Sequence, residues 1–534
     1  MKRLAACILA MLLCLSLTAC GRVPSKVNLP IQETPSSLDP QIAGTNDEQS
    51  IINNCFEGLV RMDADGNIQP AVATDWSISS DGLTYTFNLR NTSRWNYTDA
   101  MKKVFGDDFQ INTTVTAKDF VFALQRAIDP TTNSPFASSL WNLENAEDIY
   151  NGKKDKSTLG VTATDDYTLV IRLTKPDANL LATLASAVCM PCNQTFFEAT
   201  AGKYGMEPGY TLCNGPYYYS LYSSNSGYIQ LSKNSEYKGS YKTKVETVRF
   251  VLTDDANLNT ALLTDESLNA AVLTDVSGVS DKYSITKYQN TTKAFLFNLS
   301  SKLVSVQNLR LALVYATDST PLTNTPATGI IPDAALITPG NSYRKATGSQ
   351  SIPEFNLDTA KSYYNQGISD FPTTDDTSYN MTVLCLKTDE IPVKQVIQNW
   401  QKIFGVRLNI TVTTYDTPYA LQKEMAKGTY DVAYAPLQCD TIATNTLARF
   451  VSGSPNNVIN LKNDTYDNYI KEAMDAASAE AMAPYLQRAE AALIETGCIL
   501  PITQQTSFLV YQNKLDGLTM QPSGTVYAAY TIGK

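Results

Sequence analysis

The chain has 534 residues, 43% of them hydrophobic and 18% charged, and a formal net charge of −10. It contains no histidine, which removes Ser-His-Asp and Cys-His nucleophile systems, histidine metal sites and histidine acid–base work. The acidic balance argues against nucleic acid or an anionic membrane face as partner, and the length suggests two or three domains with ample core.

At the N-terminus, Lys2 and Arg3 precede "LAACILAMLLCLSLTA", about 16 apolar or small residues. Residues 1–19 read as a secretory signal, too short for an ordinary membrane-spanning helix. Leu17-Thr18-Ala19-Cys20 resembles the bacterial lipobox, whose cysteine sulfur receives a diacylglyceryl group; the alternative is a plain signal with an incidental cysteine. Two acyl chains on Cys20 suffice for stable anchoring, which places the expected protein on the outer face of the bacterial cytoplasmic membrane. Cleavage removes Lys2 and Arg3 and leaves a net charge of −12. No later stretch approaches 18 apolar residues, so the rest is expected outside and tethered. Residues 20–35 read as a lipid-anchored polar linker.

Besides Cys20, the mature chain keeps Cys55, Cys189, Cys192, Cys213, Cys385, Cys439 and Cys498. An odd number forbids complete pairing within one chain. "CMPC" at 189–192 has redox spacing but lacks a strand-to-helix entry, so a structural disulfide or buried thiols are expected there. The 30 Tyr supply flat apolar area with a polar tip, useful for ligand contact and equally for packing.

"DWSISSDGLTYTFNLR" (75–90) reads as a hairpin turning at Asp81-Gly82, with Leu83, Tyr85, Phe87 and Leu89 on one face. The segment "NYTDAMKKVFGDDFQINTT" (96–114) reads as a surface excursion, or more sharply as a lid or permease contact. "TAKDFVFALQRAIDP" carries a capping pattern at Thr116 and Asp119, an apolar stripe of Phe120, Leu124, Ala127 and Ile128, and a stop at Pro130. From 381 to 437 the chain alternates strand, helix, strand, helix, strand. "MTVLCL", "VRLNITV" and "YDVAYAPL" are the strands; "IPVKQVIQNWQKIF" and "TPYALQKEMAKG" are the helices. That order implies parallel strands with helices on both faces. "YLQRAEAALIETG" is a further helix, and "CILPITQQTSFLVY" an extended run.

In this order the pieces resemble the large solute-binding proteins of ABC importers, the oligopeptide/dipeptide/nickel group. The resemblance covers the whole mature chain. It rests on "SSLDP" (36–40), "FEGLV" (56–60), "AVATDWSISSDGLTYTFNLR", "TVTAKDFVFALQRAIDP", "GVTATDDYTLVIRL" (160–173), "NGPYYY" (214–219), "SKNSEYKG" (232–239), "FLFNLS" (295–300), "NLRLALVYATD" (308–318) and "GTYDVAYAPLQCD" (428–440). It implies an α/β fold: a periplasmic-binding-protein-like two-lobed clamp of the type II, large three-domain variant, with mixed sheets flanked by helices. Domain I would comprise 36–45, 160–250 and 503–534; domain II, 46–159; domain III, 251–502.

The resemblance also implies a site. A receptor for many peptides reads backbone groups and charged termini. One ligand-pairing segment falls on Gly44, Thr45 and Asn46, and another follows "YDVA" on Ala435, Pro436 and Leu437. The amine-binding aspartate falls on Asp440. Tyr434, Cys439, Asn214 and Gly215 complete the expected ligand-binding set. Pro436-Leu437 stands where the family usually has Gly-Trp, Tyr434 where some relatives carry an arginine, and "DTIATN" where a "DY-x-DP"-like run is usual. Proline lacks an N–H, so one pairing donor is missing. These departures bear on ligand class and leave the fold untouched.

The expected function is capture of oligopeptides in a closing cleft and delivery to ABC permease and ATPase subunits, by a monomer with no cofactor, no metal and no catalysis. Nickel chelates, oligosaccharides or opines are alternative ligands, nickel being disfavoured by the missing histidine. A surface peptide sensor without transport is a further alternative. An enzyme is disfavoured: in Asp165-Asp166 and Asp254-Asp255 adjacent carboxylates point apart.

Overall fold

The computed structural model describes residues 23–533, apart from 222–224, 226, 255–256, 325–329, 332–334, 340, 370–377, 441, 455, 477 and 522–525. The leader and Cys20 lie outside the described residues.

The first element corrects the expected linker. Lys26–Ile31 is a strand, β1, with Val27, Leu29 and Ile31 buried. It forms the edge of a four-stranded sheet, pairing in parallel with a strand far along the chain, Thr247–Leu252. Val27, Leu29 and Ile31 alternate with Lys26, Asn28 and Pro30, a period-2 signal that a six-residue run shows weakly. Pro30 fits because an edge strand tolerates a missing donor.

Next comes helix α1 (Asn46–Cys55), capped by Thr45 and Glu48 in a capping box. The expected hairpin is β2 (Ala73–Ile78) and β3 (Thr84–Leu89), joined at Gly82, whose φ is +72°. The 96–114 excursion contains a short helix, α2 (Asp99–Phe105). It docks on its own lobe: the Phe105 ring lies 5.1 Å from Phe109, 5.1 Å from Phe196 and 5.8 Å from Tyr210. Helix α3 (Ala117–Ile128) buries Phe120, Leu124, Ala127 and Ile128, the expected stripe. Strands β4 (Val161–Asp165) and β5 (Thr168–Arg172) complete the hairpin's sheet in the order β2-β3-β5-β4. Strands β6 (Tyr217–Leu221), β7 (Tyr228–Lys233) and β8 (Thr247–Leu252) complete the sheet of β1, in the order β1-β8-β7-β6. One large apolar core joins all of these.

The second lobe is built on a mixed sheet. Its strands are β9 (Ala270–Leu273), β10 (Tyr283–Phe297), β11 (Tyr379–Leu386), β12 (Leu408–Tyr415), β13 (Val432–Gln438) and β14 (Ile499–Gln512), with a short strand at Ile330–Ile331 beside β14. The order is β9-β14-β10-β13-β11-β12. Strands β11, β12 and β13 pair in parallel, as the alternating pattern implied, while β10 and β14 run antiparallel. Helix α4 (Glu390–Phe404) buries Val393, Val396, Ile397, Trp400 and Phe404 on one face of the sheet. Helices α5 (Pro418–Met425), α6 (Ala443–Ala448), α7 (Asp464–Met474) and α8 (Ala479–Glu495) cover the other.

Strands β10 and β14 are the longest in the molecule among the described residues, at 15 and 14 residues. Tyr288 and Leu509 belong to the large core, whereas Phe295, Leu296, Ile499 and Leu500 belong to the cores of the second lobe. The pair therefore crosses from one lobe to the other. Register shifts interrupt it between Gln289 and Thr291 and between Lys293 and Ala294, at the crossing; such irregularities bend and twist a ladder.

Two measurements follow from this packing. Leu29→Ala removes a fully buried side chain and should cost about 2–5 kcal/mol in denaturant unfolding; a linker residue would cost almost nothing. Asp119 accepts from the Thr116 N–H at 2.7 Å, yet burial dominates and pushes its carboxyl up to about 7. The folded state thus holds a proton that the unfolded chain releases near the ordinary Asp value. Stability should fall as pH rises from about 4 to about 7 and level off above, and Asp119→Asn should flatten that slope in thermal melts.

Candidate functional site

The site begins with an open strand edge. Strand β13 pairs with β10 along its whole length, from Phe297↔Val432 to Thr291↔Gln438. On its other side it pairs with β11 only from Val432 to Tyr434. Ala435 lies level with Leu386, the last residue of β11, and Pro436, Leu437 and Gln438 run past it. The register gives the direction of their peptide groups. The Cys439 N–H donates to the Asn290 carbonyl at 2.7 Å, so odd-numbered residues turn their peptide groups towards β10 and even-numbered ones turn away. Pro436 and Gln438 thus face the open edge. Proline sits where no ladder bond to β10 is lost, and the donor expected to be missing is missing on the outward side.

The same alternation corrects Tyr434. Ala433 and Ala435 point to the core under α5–α8, and Leu437 packs against it; Tyr434 points to the opposite one. Its ring is 1% exposed and lies 4.9 Å from Phe295, so it is core rather than ligand wall. Cys439 is also buried, its Sγ donating to the Leu336 carbonyl at 3.3 Å.

Beyond β13 the chain turns through Asp440 into α6. The Asp440 N–H donates to Thr446 Oγ1 at 2.8 Å, Asp440 Oδ1 accepts from the Ile442 N–H at 2.9 Å, and Asn341 Nδ2 donates to the Asp440 carbonyl at 3.1 Å. Asp440 is half-buried, so its carboxylate is held in place at the end of the open edge. The neighbouring segment is fixed by buried Glu490, which accepts from the Ile337 N–H at 3.3 Å and from the Tyr343 hydroxyl at 3.2 Å. Burial raises the Glu490 carboxyl above its ordinary value. Beneath the edge, Lys293 stands opposite Pro436. Its ammonium donates to both oxygens of Asp389, at 2.6 and 2.7 Å, and lies 5.3 Å from the Tyr434 ring. Neither Lys293 nor Asp389 was expected; only the fold brings residues 96 apart in sequence together.

From the first lobe, Gly44 and Asn46 are exposed at the N-terminal end of α1. The Gly44 and Thr45 N–H groups both donate to Glu48 Oε2, at 2.8 and 3.0 Å, so neither reaches a ligand while that carboxylate stays. Asn214 and Gly215 are corrected outright. The Asn214 amide accepts from the Glu57 N–H at 2.9 Å and donates to the Glu57 carbonyl at 2.8 Å, and the Gly215 N–H donates to Cys55. Both are buried and hold β6 to the end of α1. The "CMPC" cysteines are free, buried thiols, each pushed up to about 12 by burial, the opposite of an activated redox pair.

The two lobes meet away from the crossing strands. Lys175 of the first lobe pairs with Asp475 at the end of α7, and Asn179 Nδ2 reaches Met482 Sδ at 3.6 Å. Met482 Sδ in turn accepts from Thr444 Oγ1 at 3.1 Å, on the helix that follows Asp440.

A two-lobed body, long crossing strands and a strand edge left open beyond its neighbour can be compared with known proteins. Residues 67–457 match the family described as "Bacterial extracellular solute-binding proteins, family 5 Middle". The chain belongs to this family. A dipeptide-binding protein of Lactococcus lactis subsp. cremoris is 25% identical over 96% of this chain and 95% of its own length. The oligopeptide-binding protein OppA of Bacillus subtilis is 24% identical over 98% of each. The structure of Listeria monocytogenes OppA bound to peptide superposes with a TM-score of 0.74 at 22% identity, covering 96% of this chain and 99% of that one.

The family 5 motifs now have physical content. Asp39 of "SSLDP" is buried and paired with Arg126 of the α3 motif at 2.5 Å. Glu57 of "FEGLV" is buried between Arg90 and the Tyr237 hydroxyl. Gly215 of "NGPYYY" leaves no room for a Cβ, which would lie 2.6 Å from the Cys55 carbonyl carbon. Gly215→Ala should therefore cost about 1–3 kcal/mol in unfolding experiments, and any loss of ligand binding should track that instability.

Proposed function

We propose that the protein captures peptides in extended form between its lobes, along the free edge of β13, and hands them to an ABC permease with its ATPase. The observation that carries this reading is the overrun of β13 past β11. Beyond Tyr434 no strand of the sheet pairs with this side of β13 among the described residues, and a strand edge of this kind presents backbone groups that any peptide can match, whatever its side chains. Family membership and the named substrates of the relatives support it.

In this reading Asp440 receives the ligand's amine at the end of the edge, and Ala435 to Gln438 line its backbone, with Gly44 and Asn46 facing them from the first lobe. The lobes close about the β10–β14 crossing, and Lys175–Asp475 lies on the closing side. The chain acts as a monomer without cofactor or metal and catalyses nothing. Cys20 carries the lipid that holds it on the outer face of the cytoplasmic membrane, where tethering raises its effective concentration at the permease. The three-domain division is retained with two changes: β1 joins the domain I sheet, and residues 258–273, which pack with Phe508 and Val510 on the first-lobe half of β14, also go with domain I.

A carboxylate facing an ammonium is worth about 1.5–3 kcal/mol. Asp440→Asn should therefore weaken peptides with a free N-terminus by roughly ten- to a hundredfold in calorimetric titrations, while N-acetylated versions change little. Equal losses for both would remove the amine role. Native mass spectrometry of the purified protein tests the ligand class: released peptides support it, and hexoses would replace it.

A further inference from the structure

Arg449 lies one residue beyond α6 and reaches back to β13. Its Nη1 donates to the Gln438 carbonyl at 2.8 Å. That carbonyl belongs to an even-numbered residue, so it points away from β10 and into the stretch where β11 has ended. The guanidinium therefore lies over the open edge, at the last outward-facing carbonyl before Asp440.

Two features of this arginine bear on its role. It is half-buried, and no ion pair to it occurs among the described residues, whereas buried Lys293 nearby is matched by Asp389. A guanidinium carries five donors in a planar fork suited to a carboxylate; one is spent on Gln438. A cation held partly out of water without an anion is costly, and an arriving carboxylate would offset that cost. Its charge also bears on the neighbouring Cys439 thiol, although burial dominates there and raises it.

We propose that Arg449 is a specificity-determining residue that selects peptides carrying a carboxylate within about two residues of their free amine. The inference rests on the edge-and-amine reading given above. With the amine at Asp440, a ligand strand lying on β13 passes Gln438 within its first residues, because successive residues advance about 3.3 Å. The Gln438 carbonyl has two lone pairs, so a ligand N–H pairs with it beside the Arg449 N–H or in its place. In either case the guanidinium has further donors to place next to the ligand, and a carboxylate supplies two oxygens in matching geometry. The carboxylate has two possible sources: the C-terminus of a dipeptide, or an acidic side chain at the second position of a longer peptide.

Titration calorimetry of wild type, Arg449→Gln and Arg449→Lys separates these. The probes are Ala-Ala with a free carboxylate, Ala-Asp-Ala-Ala amide, and Ala-Ala-Ala-Ala amide. Arg449→Gln should weaken at least one carboxylate probe tenfold or more and leave the neutral amide unchanged or tighter, since the competing donor is gone. Arg449→Lys should restore part of the loss. A loss confined to Ala-Ala identifies the terminus as the source; one confined to the Asp peptide identifies the side chain. Equal weakening of all three probes, with a lowered melting temperature, would make Arg449 a merely structural brace and overturn the proposal. Unchanged affinity for both carboxylate probes overturns it too. If wild type binds none of the three, the peptide reading itself fails, and this inference with it; if it binds the neutral amide and ignores both carboxylates, only the inference fails.

Discussion

Everything about the site depends on one ladder, the antiparallel pairing of β10 with β14. It is the only element in which the two lobes share a continuous hydrogen-bonded surface among the described strands. Its outer halves are locked into different apolar cores, so neither lobe can slide on the other without breaking core contacts. Rotation is cheaper, because the register shifts at Gln289–Thr291 and Lys293–Ala294 already leave the ladder imperfect at the crossing. Strand β13 hangs on β10, with the open edge beginning beside that irregular stretch. Closing the lobes and presenting the edge are thus consequences of the same pairing.

Charges are buried in three places around this frame: Asp39 with Arg126, Glu57 with Arg90, and Lys293 with Asp389. Burying such pairs gains little net stability, because desolvation offsets the attraction. Breaking one is costly, since the survivor is left alone in a poor solvent. Each pair also joins segments distant in sequence, and so acts on geometry: Asp39–Arg126 fixes the segment entering α1 against α3, and Glu57–Arg90 fixes the end of α1 against the hairpin. Together they fix the segment that carries Gly44 and Asn46, which the proposed function sets facing the ligand.

Strong periodicity made much of this readable from the sequence. The stripes of α3 and α4 and the alternation of β3 map onto burial residue by residue. "YDVAYAPL" also contained the evidence against Tyr434: in a strand, Val432 and Tyr434 share one face, and Ala433 and Ala435 the other. β1 was hidden by its shortness and by Pro30. Asn214 and Gly215 entered the expected site through the resemblance alone, yet their bonds go to Cys55 and Glu57, 157 positions away from Asn214 in the latter case. Arg449, Lys293 and Asp389 carry no local signal at all. Their roles depend on where β11 stops relative to β13, a tertiary quantity.

That stopping point also bears on what the edge can recognise. A ladder binder usually offers alternating donors and acceptors. Here Pro436 removes one outward donor, Glu48 holds the N–H groups of Gly44 and Thr45, and Arg449 holds the Gln438 carbonyl. If the proposed site is the binding site, pairing groups are thinned on both lobes and less of the binding free energy would come from the peptide backbone. More must come from charge at the ligand's ends and from apolar contact with groups such as Leu437. Backbone pairing is indifferent to sequence, whereas charge at a fixed position is not. On the proposed reading, a donor-poor edge flanked by Asp440 and Arg449 in place of an open, flat one would narrow the range of peptides without any change in fold.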